Sequence, residues 1–247
     1  MSRPVFIAER AALAAVAPGS LITLAGEEAR HVVAVRRMGP GEHLDLVDGA
    51  GRRVTGILEA TAKNELTLVV TAVSDEPAPQ LRFVLVQALA KGDRDERAVE
   101  SATELGVDEI IPWQARRSVV RWRGERAARS RRRWTDTVWA AVKQSRRSWI
   151  PGVADAVDLA GLVERVGTSA ATYVLHEEAN EPLVGAQVPD TGDVLLVVGP
   201  EGGVAPQELS ALAEAGARPV RLGTNVLRSS TAGPAGLAVL NASSRWR

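Results

Sequence analysis

Two glycine-bearing loops carry the residue types from which a binding site could be built. In the first, the apolar run Val194-Leu195-Leu196-Val197-Val198 opens into Gly199-Pro200-Glu201-Gly202-Gly203. Glycines at a strand end leave out the Cβ atoms that would keep a ligand from the backbone, and they permit left-handed angles. A plain strand-to-helix turn ahead of Pro206 accounts for the same residues. The second loop, Leu222-Gly223-Thr224-Asn225-Val226-Leu227-Arg228-Ser229-Ser230-Thr231-Ala232, runs into an apolar C-terminal helix. Ser230 or Thr231 would serve as that helix's N-cap. Arg228 beside the cap opposes the helix dipole, which points to an anion or a nucleophile nearby.

Other chemistries lack their residues. There is no G-x-G-x-x-G after the first strand of the second half, no G-x-x-x-x-G-K-[ST], and no G-x-S-x-G. The three histidines, His31, His43 and His176, are too scattered for a metal triad, and no cysteine is present. Dehydrogenase, NTPase, serine hydrolase, thiol and zinc readings lose their usual support. No metal site is expected.

Thirty basic and thirty acidic residues cancel over the chain, but not locally. The 32 residues from Arg116 to Arg147 hold twelve basic side chains, eleven of them arginine, against Glu125 and Asp136, so this window carries +10 and the remainder −10. Like charges three and four apart destabilise a helix, so a solvated helix explains this density poorly. Arginine grips phosphate in a bidentate fork and stacks on bases, and a polyanion surface, RNA above all, is the reading that follows. Trp122, Trp134, Trp139 and Trp149 are interleaved with the charge. The spacing of Trp134, Trp139 and Val142 suits a buried helical stripe, so these aromatics are assigned to packing.

Those loops must be held by a folded chain. With 247 residues, 45% apolar and 24% charged, the composition is that of a globular protein, and two domains are expected. No apolar run approaches the ~20 residues of a membrane span. Ala11–Ala17 is interrupted by Glu9 and Arg10 upstream and ended by Pro18-Gly19, which fits a short turn and not a signal peptide. A cytoplasmic, soluble protein is expected. Residues 1–74 read mostly as strands: Pro4–Ala8, Ser20–Leu24, His43–Val47, Arg52–Leu58 and Glu65–Val73, with a hairpin signal at Asp48-Gly49-Ala50-Gly51 and a helical turn or two at Glu27–Arg37. This predicts a small β-barrel. The polar link Asp75-Glu76-Pro77-Ala78-Pro79 separates it from residues 80–247, where apolar strands (Phe83–Leu89, Glu109–Trp113, Thr172–Leu175, Val194–Val198, Pro219–Leu222) alternate with helices (Asp93–Leu105, the basic segment, Pro206–Ala215). Alternation of that kind predicts an α/β domain with a mostly parallel sheet covered on both faces.

In that order and about twenty residues apart, the two loops resemble the signature of SPOUT-class RNA methyltransferases, and more narrowly the RsmE family of 16S ribosomal RNA uridine-N3 methyltransferases. Lys91-Gly92-Asp93-Arg94, Thr103-Glu104-Leu105-Gly106, Arg117-Ser118-Val119, and Gln144-Ser145 through Arg147 and Pro151 resemble the family's internal motifs, and His31-Val32-Val33 through Arg37 and Gly41 resemble its PUA-like RNA-binding barrel. The resemblance implies a PUA-like barrel over 1–74, a SPOUT domain over 80–247 with a deep trefoil knot, a homodimer, and S-adenosylmethionine as methyl donor. It places the cofactor among Leu175, His176 and Glu177, among Gly199, Glu201, Gly202 and Gly203, and among Leu222, Gly223 and Leu227. The family usually carries an acidic residue where this chain has Ser230, which puts the catalytic assignment, though not the fold, in question.

Methylation at N3 requires loss of the N3 proton, so the protein must orient the base and neutralise charge that develops on the uracil oxygens. Arg228 is the candidate for that second task. No general base is evident, and His176 at a strand end suits a structural role. Arg36 and Arg37 of the barrel, with Arg117, Arg121 and Arg147, are the expected contacts to 16S rRNA in the 30S subunit. Two other readings remain: ribose 2′-O-methylation by the same fold, and a non-catalytic RNA-binding or ribosome-assembly factor.

Overall fold

The computed structural model of the chain describes residues 3–247. Its contacts divide the chain into two units, one formed by residues 3–78 with 142–150, the other by 79–141 with 151–247.

The first unit is built on five strands, β1 Val5–Ile7, β2 Leu21–Ala25, β3 His43–Val47, β4 Arg52–Ala62 and β5 Glu65–Asp75, in the order β1-β3-β4-β5-β2. β2 and the first half of β5 alternate between core and solvent, as a half-buried sheet demands, whereas β1 and most of β3 are buried at successive positions. Only β1 and β3 run parallel. Phe6, Leu13, Val32, Leu44, Leu46, Leu58, Leu66 and Leu68 fill its core. Among the described residues β1 and β2 do not pair with each other, so the barrel suggested by the sequence is an open one. The β3–β4 turn forms at the expected place, with Asp48 Oδ1 accepting the N–H groups of Ala50 (2.7 Å) and Arg52 (3.0 Å). A short helix α1 (Arg10–Leu13) follows β1, and α2 (Glu27–Arg30) widens into a π-helical turn over His31–Val35.

Position along the chain assigns Val142–Ile150 to the second domain; in space it packs with the first unit. The Ile150 N–H donates to Gly49 O (3.0 Å) and the Gly51 N–H to Ser148 O (3.2 Å). Ser148 Oγ donates to Glu76 Oε2 (2.6 Å), and Lys143 pairs with Glu28 (2.8 Å). These partners lie some 70 to 115 positions apart in sequence, beyond the reach of local pattern.

The second unit is built on six strands, β6 Leu81–Ala88, β7 Glu109–Trp113, β8 Gly152–Val153, β9 Ala171–Leu175, β10 Gly192–Val198 and β11 Arg218–Val220, all parallel and ordered β11-β9-β10-β6-β7-β8. The central strands are buried on both faces, which their unbroken apolar runs foretell: Phe83 through Val86 and Val194 through Val197 are fully enclosed. The helices are α3 Arg94–Glu104, α4 Glu125–Ser145, α5 Leu159–Gly167, α6 Pro206–Glu214 and α7 Ser229–Ala242. Leu162 and Val166 of α5 and Leu212 of α6 pack on one side of the sheet. On the other side α7 comes so close that a Cβ on Gly236 would stand 2.7 Å from Leu196 Cδ2.

Two short elements, β8 and α5, have no counterpart in the sequence reading. The inward stripe of α4 also differs from expectation. Trp134, Val138 and Ala141 are buried, and Trp122 packs edge-on against Trp134 at 5.1 Å, whereas Trp139 is 42% exposed. Five residues advance a helix by about 140° past Trp134, which turns Trp139 off the buried face. Among the described residues no helix is long and apolar enough to cross a membrane.

Candidate active site at the carboxyl edge of the parallel sheet

Parallel strands deliver all their carboxyl ends to one edge, where irregular loops can surround a ligand. Here β11, β9 and β10 are neighbours, so the loops after Val220, Leu175 and Val198 emerge side by side. This brings together Leu175, His176 and Glu177; Gly199, Glu201, Gly202 and Gly203; and Leu222, Gly223, Leu227 and Arg228. The loops after β6 and β7 reach the same edge.

Each loop is held by identifiable bonds. His176 donates its N–H to Val220 O (2.9 Å), and its Nδ1 accepts the Glu178 N–H (3.2 Å), so this ring is committed to shaping the turn. Glu201 accepts from Arg94 Nη1 at 2.8 Å and from the Lys91 N–H at 3.4 Å. Partial burial raises the Glu201 pKa, but hydrogen bonds from its own backbone, from Arg94 and from Lys91 outweigh that, and the carboxyl lies below its usual range. Arg117 Nη1 donates to Gly202 O at 2.8 Å. A Cβ at Gly199 would lie 2.9 Å from Val204 Cγ2, so close packing alone already requires glycine there.

The last loop is different. None of the backbone N–H groups of 222–228 has a hydrogen-bond partner among the described residues. Gly223 has φ +127, and a side chain added there would meet only open space. Val226 and Leu227 expose apolar surface. Ser229 Oγ is buried and unpartnered at the start of α7. Free backbone donors, apolar side chains and an orphaned hydroxyl fit a nucleoside bound through backbone groups and van der Waals contact. The expected N-cap at Ser230 or Thr231 does not form: α7 begins at Ser229, its N-cap is Arg228, and no side chain caps it. The Thr231 and Ala232 N–H groups take Arg228 O instead, at 2.8 and 2.9 Å. The Arg228 side chain is exposed beside the uncapped dipole.

Two supporting residues, Glu208 and Asp95, escaped the sequence reading, and a third, Ser118, entered it only as part of the motif Arg117-Ser118-Val119. Glu208, buried in the first turn of α6, accepts the Arg116 N–H (2.7 Å) and the Ala205 N–H (3.1 Å), pinning the loop after β7 to the glycine loop. An acid three residues after a helix start is a recognisable signal, but its second partner is 92 positions away. Asp95 is buried at the start of α3. Burial is the main cause that pushes its carboxyl up to about 6. Ser118 Oγ is buried without a partner in the loop after β7.

Of the expected RNA contacts, Arg117 and Arg121 lie in the second unit. Arg121 donates to Arg116 O at 3.1 Å, and both guanidinium groups retain further donors. Arg36 and Arg37 are exposed in the first unit, Arg37 in the left-handed region at φ 53, and Arg147 belongs to that unit as well. The arginine-rich segment is more neutralised than its sequence suggests: Arg129, Arg131 and Arg133 pair with Glu125, Asp155 and Glu96. A groove of about 560 Å³ beside Arg30 and Lys63 lies in the first unit and includes none of the loop residues above. Among the described residues no cluster of three or more histidine and carboxylate side chains could hold a metal.

Comparison with known sequences and structures agrees with this geometry. A family model described as an RNA methyltransferase domain matches residues 76–241, and one described as an RNA methyltransferase PUA domain matches 24–71. The chain is 43% identical over 233 residues to ribosomal RNA small subunit methyltransferase E of Mycobacterium tuberculosis, covering 92% of this chain and 89% of the relative. It is 30% identical to the Bacillus subtilis protein of the same name, covering 85% of each. Among solved structures, ribosomal RNA small subunit methyltransferase E from Neisseria gonorrhoeae, bound to S-adenosyl methionine, superposes with a TM-score of 0.84 at 28% identity over 98% of both chains. A Legionella pneumophila chain solved with the bound cofactor SAM gives 0.87 at 29% identity over 99% of both.

Proposed function

This chain belongs to the ribosomal RNA small subunit methyltransferase E family, and on that premise we propose that its second unit transfers a methyl group from S-adenosylmethionine to N3 of a uridine in 16S ribosomal RNA. The observation that carries this reading is the convergence of three neighbouring loops at one sheet edge, the last of them with unpartnered backbone donors beside Arg228. Residues 175–177, 199–203 and 222–227 would hold the nucleoside part of the donor. When bound, the sulfonium supplies an activated methyl group whose S–C bond breaks as the N–C bond forms.

The residues of this chain have the remaining tasks. The N3 proton must leave, and the negative charge shared by the uracil oxygens needs a cation close by. Arg228 is the exposed cation next to the open loop, and the free helix end behind it adds positive potential. In this chain Ser230 stands where the family usually has an acid, and among the described residues Arg228 has no carboxylate within ion-pair distance, so it must be oriented without one. N3 lies on the pairing edge of the base, so the uridine must be unpaired or turned out of its helix. Arg117 and Arg121 of the second unit would hold phosphates of the bound strand, and Arg36, Arg37 and Arg147 are the contacts to 16S rRNA that the first unit offers. Family membership also supports a homodimer, a cytoplasmic location, and a second unit threaded as a trefoil knot.

The test is to incubate the protein with labelled donor and 30S particles and to identify the product nucleoside. The expected product is N3-methyluridine; a 2′-O-methylated nucleoside would overturn the assignment. Arg228→Ala is expected to abolish transfer while keeping donor affinity within severalfold. No binding of the donor in a titration would leave a non-catalytic RNA-binding factor as the better account.

A further inference from the structure

We propose that Trp139 is a stacking platform for an unpaired RNA base on the outer face of α4. The inference rests on the reading of the chain as an RNA-acting protein and adds a contact that the transfer chemistry does not require.

Packing does not explain this side chain. The core side of α4 is occupied by Trp134, Val138 and Ala141, each no more than 2% exposed, while Trp139 shows 42% of its surface to solvent. With 42% of its surface in water, this large ring forgoes part of the burial an aromatic normally gains, which favours a partner for it. Its surroundings say which partner. Residues seven apart on a helix lie within about 20° of the same line and about 10 Å apart along the axis. Arg132 is thus two turns from Trp139 on one exposed flank. Arg132 has no carboxylate partner among the described residues, in contrast to Arg129, Arg131 and Arg133. Asp136 is the acid between them on that flank, and it would repel a phosphate placed over the middle turn.

A flat ring at one end, a free guanidinium at the other and a negative charge between them suit a single strand that lays a base on Trp139 and a phosphate on Arg132. Proteins that bind single strands combine cationic and aromatic groups in this way, because every base has a face to stack while only the backbone carries charge. An apolar protein partner would gain nothing from the arginine, and a basic one would be repelled by it.

The test uses the full chain and labelled 12-nucleotide oligo(A), oligo(U) and an abasic strand of equal length. Trp139→Ala is expected to weaken binding of oligo(A) by about 5- to 100-fold, the range for loss of one stacked base, with an unchanged salt slope and melting temperature. Trp139→Phe should restore most of the affinity, and the abasic strand should not distinguish wild type from Trp139→Ala. Arg132→Ala should instead lower the salt slope by about one ion. Equal affinities of wild type and Trp139→Ala for oligo(A) would overturn the platform, as would a change of sedimentation in Trp139→Ala with RNA binding intact, which would assign the ring to contact with a second copy. The transfer assay on 30S particles separates the two readings. Loss of oligo(A) affinity with a product other than N3-methyluridine keeps the platform and removes the uridine-N3 assignment.

Discussion

Arg94 Nη1 and Glu201 Oε1, 107 positions apart in sequence, meet at 2.8 Å and join the loop after β6 to the glycine loop after β10. Both side chains are about one-third to one-half exposed, so the pair itself is worth little to global stability, on the order of 0–1 kcal/mol. Its consequence is the placement of the 199–203 loop. Reversing either charge alone, Arg94→Glu or Glu201→Arg, should raise the Kd for S-adenosylmethionine about tenfold, and the double reversal should recover most of the loss. Melting temperatures should change little. Additive losses in the double variant, measured by calorimetric titration, would mean that the two residues act separately.

Glu208 makes a stronger structural contribution, because a buried carboxylate with two backbone donors cannot be removed without orphaning both. Glu208→Ala leaves the Arg116 and Ala205 N–H groups without the carboxylate, at about 1–3 kcal/mol for the buried Ala205 donor and less for the part-buried Arg116 one. A fall of several degrees in Tm is expected, with Glu208→Gln intermediate, since the amide keeps one acceptor. A melting curve like wild type for Glu208→Ala would show that water replaces the carboxylate.

Asp95 sets a pH dependence. In the fold its carboxyl is pushed up from 3.8 to about 6: burial is the largest cause, the nearby Glu96 charge adds to it, and the N–H groups of Ala90 and Glu96 act against it. Between those two values the folded chain binds more protons than the unfolded chain, so this group's contribution to stability falls as pH rises through that window and is constant above it. At about 1.4 kcal/mol per pKa unit, the whole window is worth roughly 2–3 kcal/mol. Asp95→Asn should therefore gain on wild type between pH 4 and pH 7 in denaturant unfolding. A wild-type-to-variant difference that does not change with pH would refute the assignment.

Gly51 tests the first unit. Its φ is +101, and an added Cβ would meet Glu76 O at 2.3 Å, a backbone atom that cannot move aside cheaply. Gly51→Ala should destabilise by about 2 kcal/mol or more through left-handed strain and this contact together. Hydrogen exchange should show faster opening in β4 and β5, and unchanged protection there would contradict the prediction.

Much of this architecture was legible in the linear chain. Period-two alternation located β3 at His43–Val47 to the residue, unbroken apolar runs located β6 and β10, and the Asp48–Gly51 turn formed as its residue types require. Those signals are local, arising from the backbone and its nearest neighbours. The loops 199–203 and 222–232 were also evident as candidates, because glycine and an arginine at a helix start are unusual wherever they occur. What the chain could not display was which distant pieces meet. β8 has two residues, too few for a periodic signature, whereas α5 was legible, with Asp158 as its N-cap and Leu162 and Val166 one turn apart on its buried face.

Tertiary structure alone decided that β9, β10 and β11 lie side by side, that Arg94 reaches Glu201, that Glu208 holds the Arg116 loop, and that Val142–Ile150 packs on the first unit. It also turned Trp139 outward, since one helix residue more or less rotates a side chain by about 100° and the buried face is fixed by what packs against it. Residue types determine what each segment can form and what chemistry it can offer. The sheet order, set by burial of apolar surface over long sequence separations, determines which of those chemistries share a site.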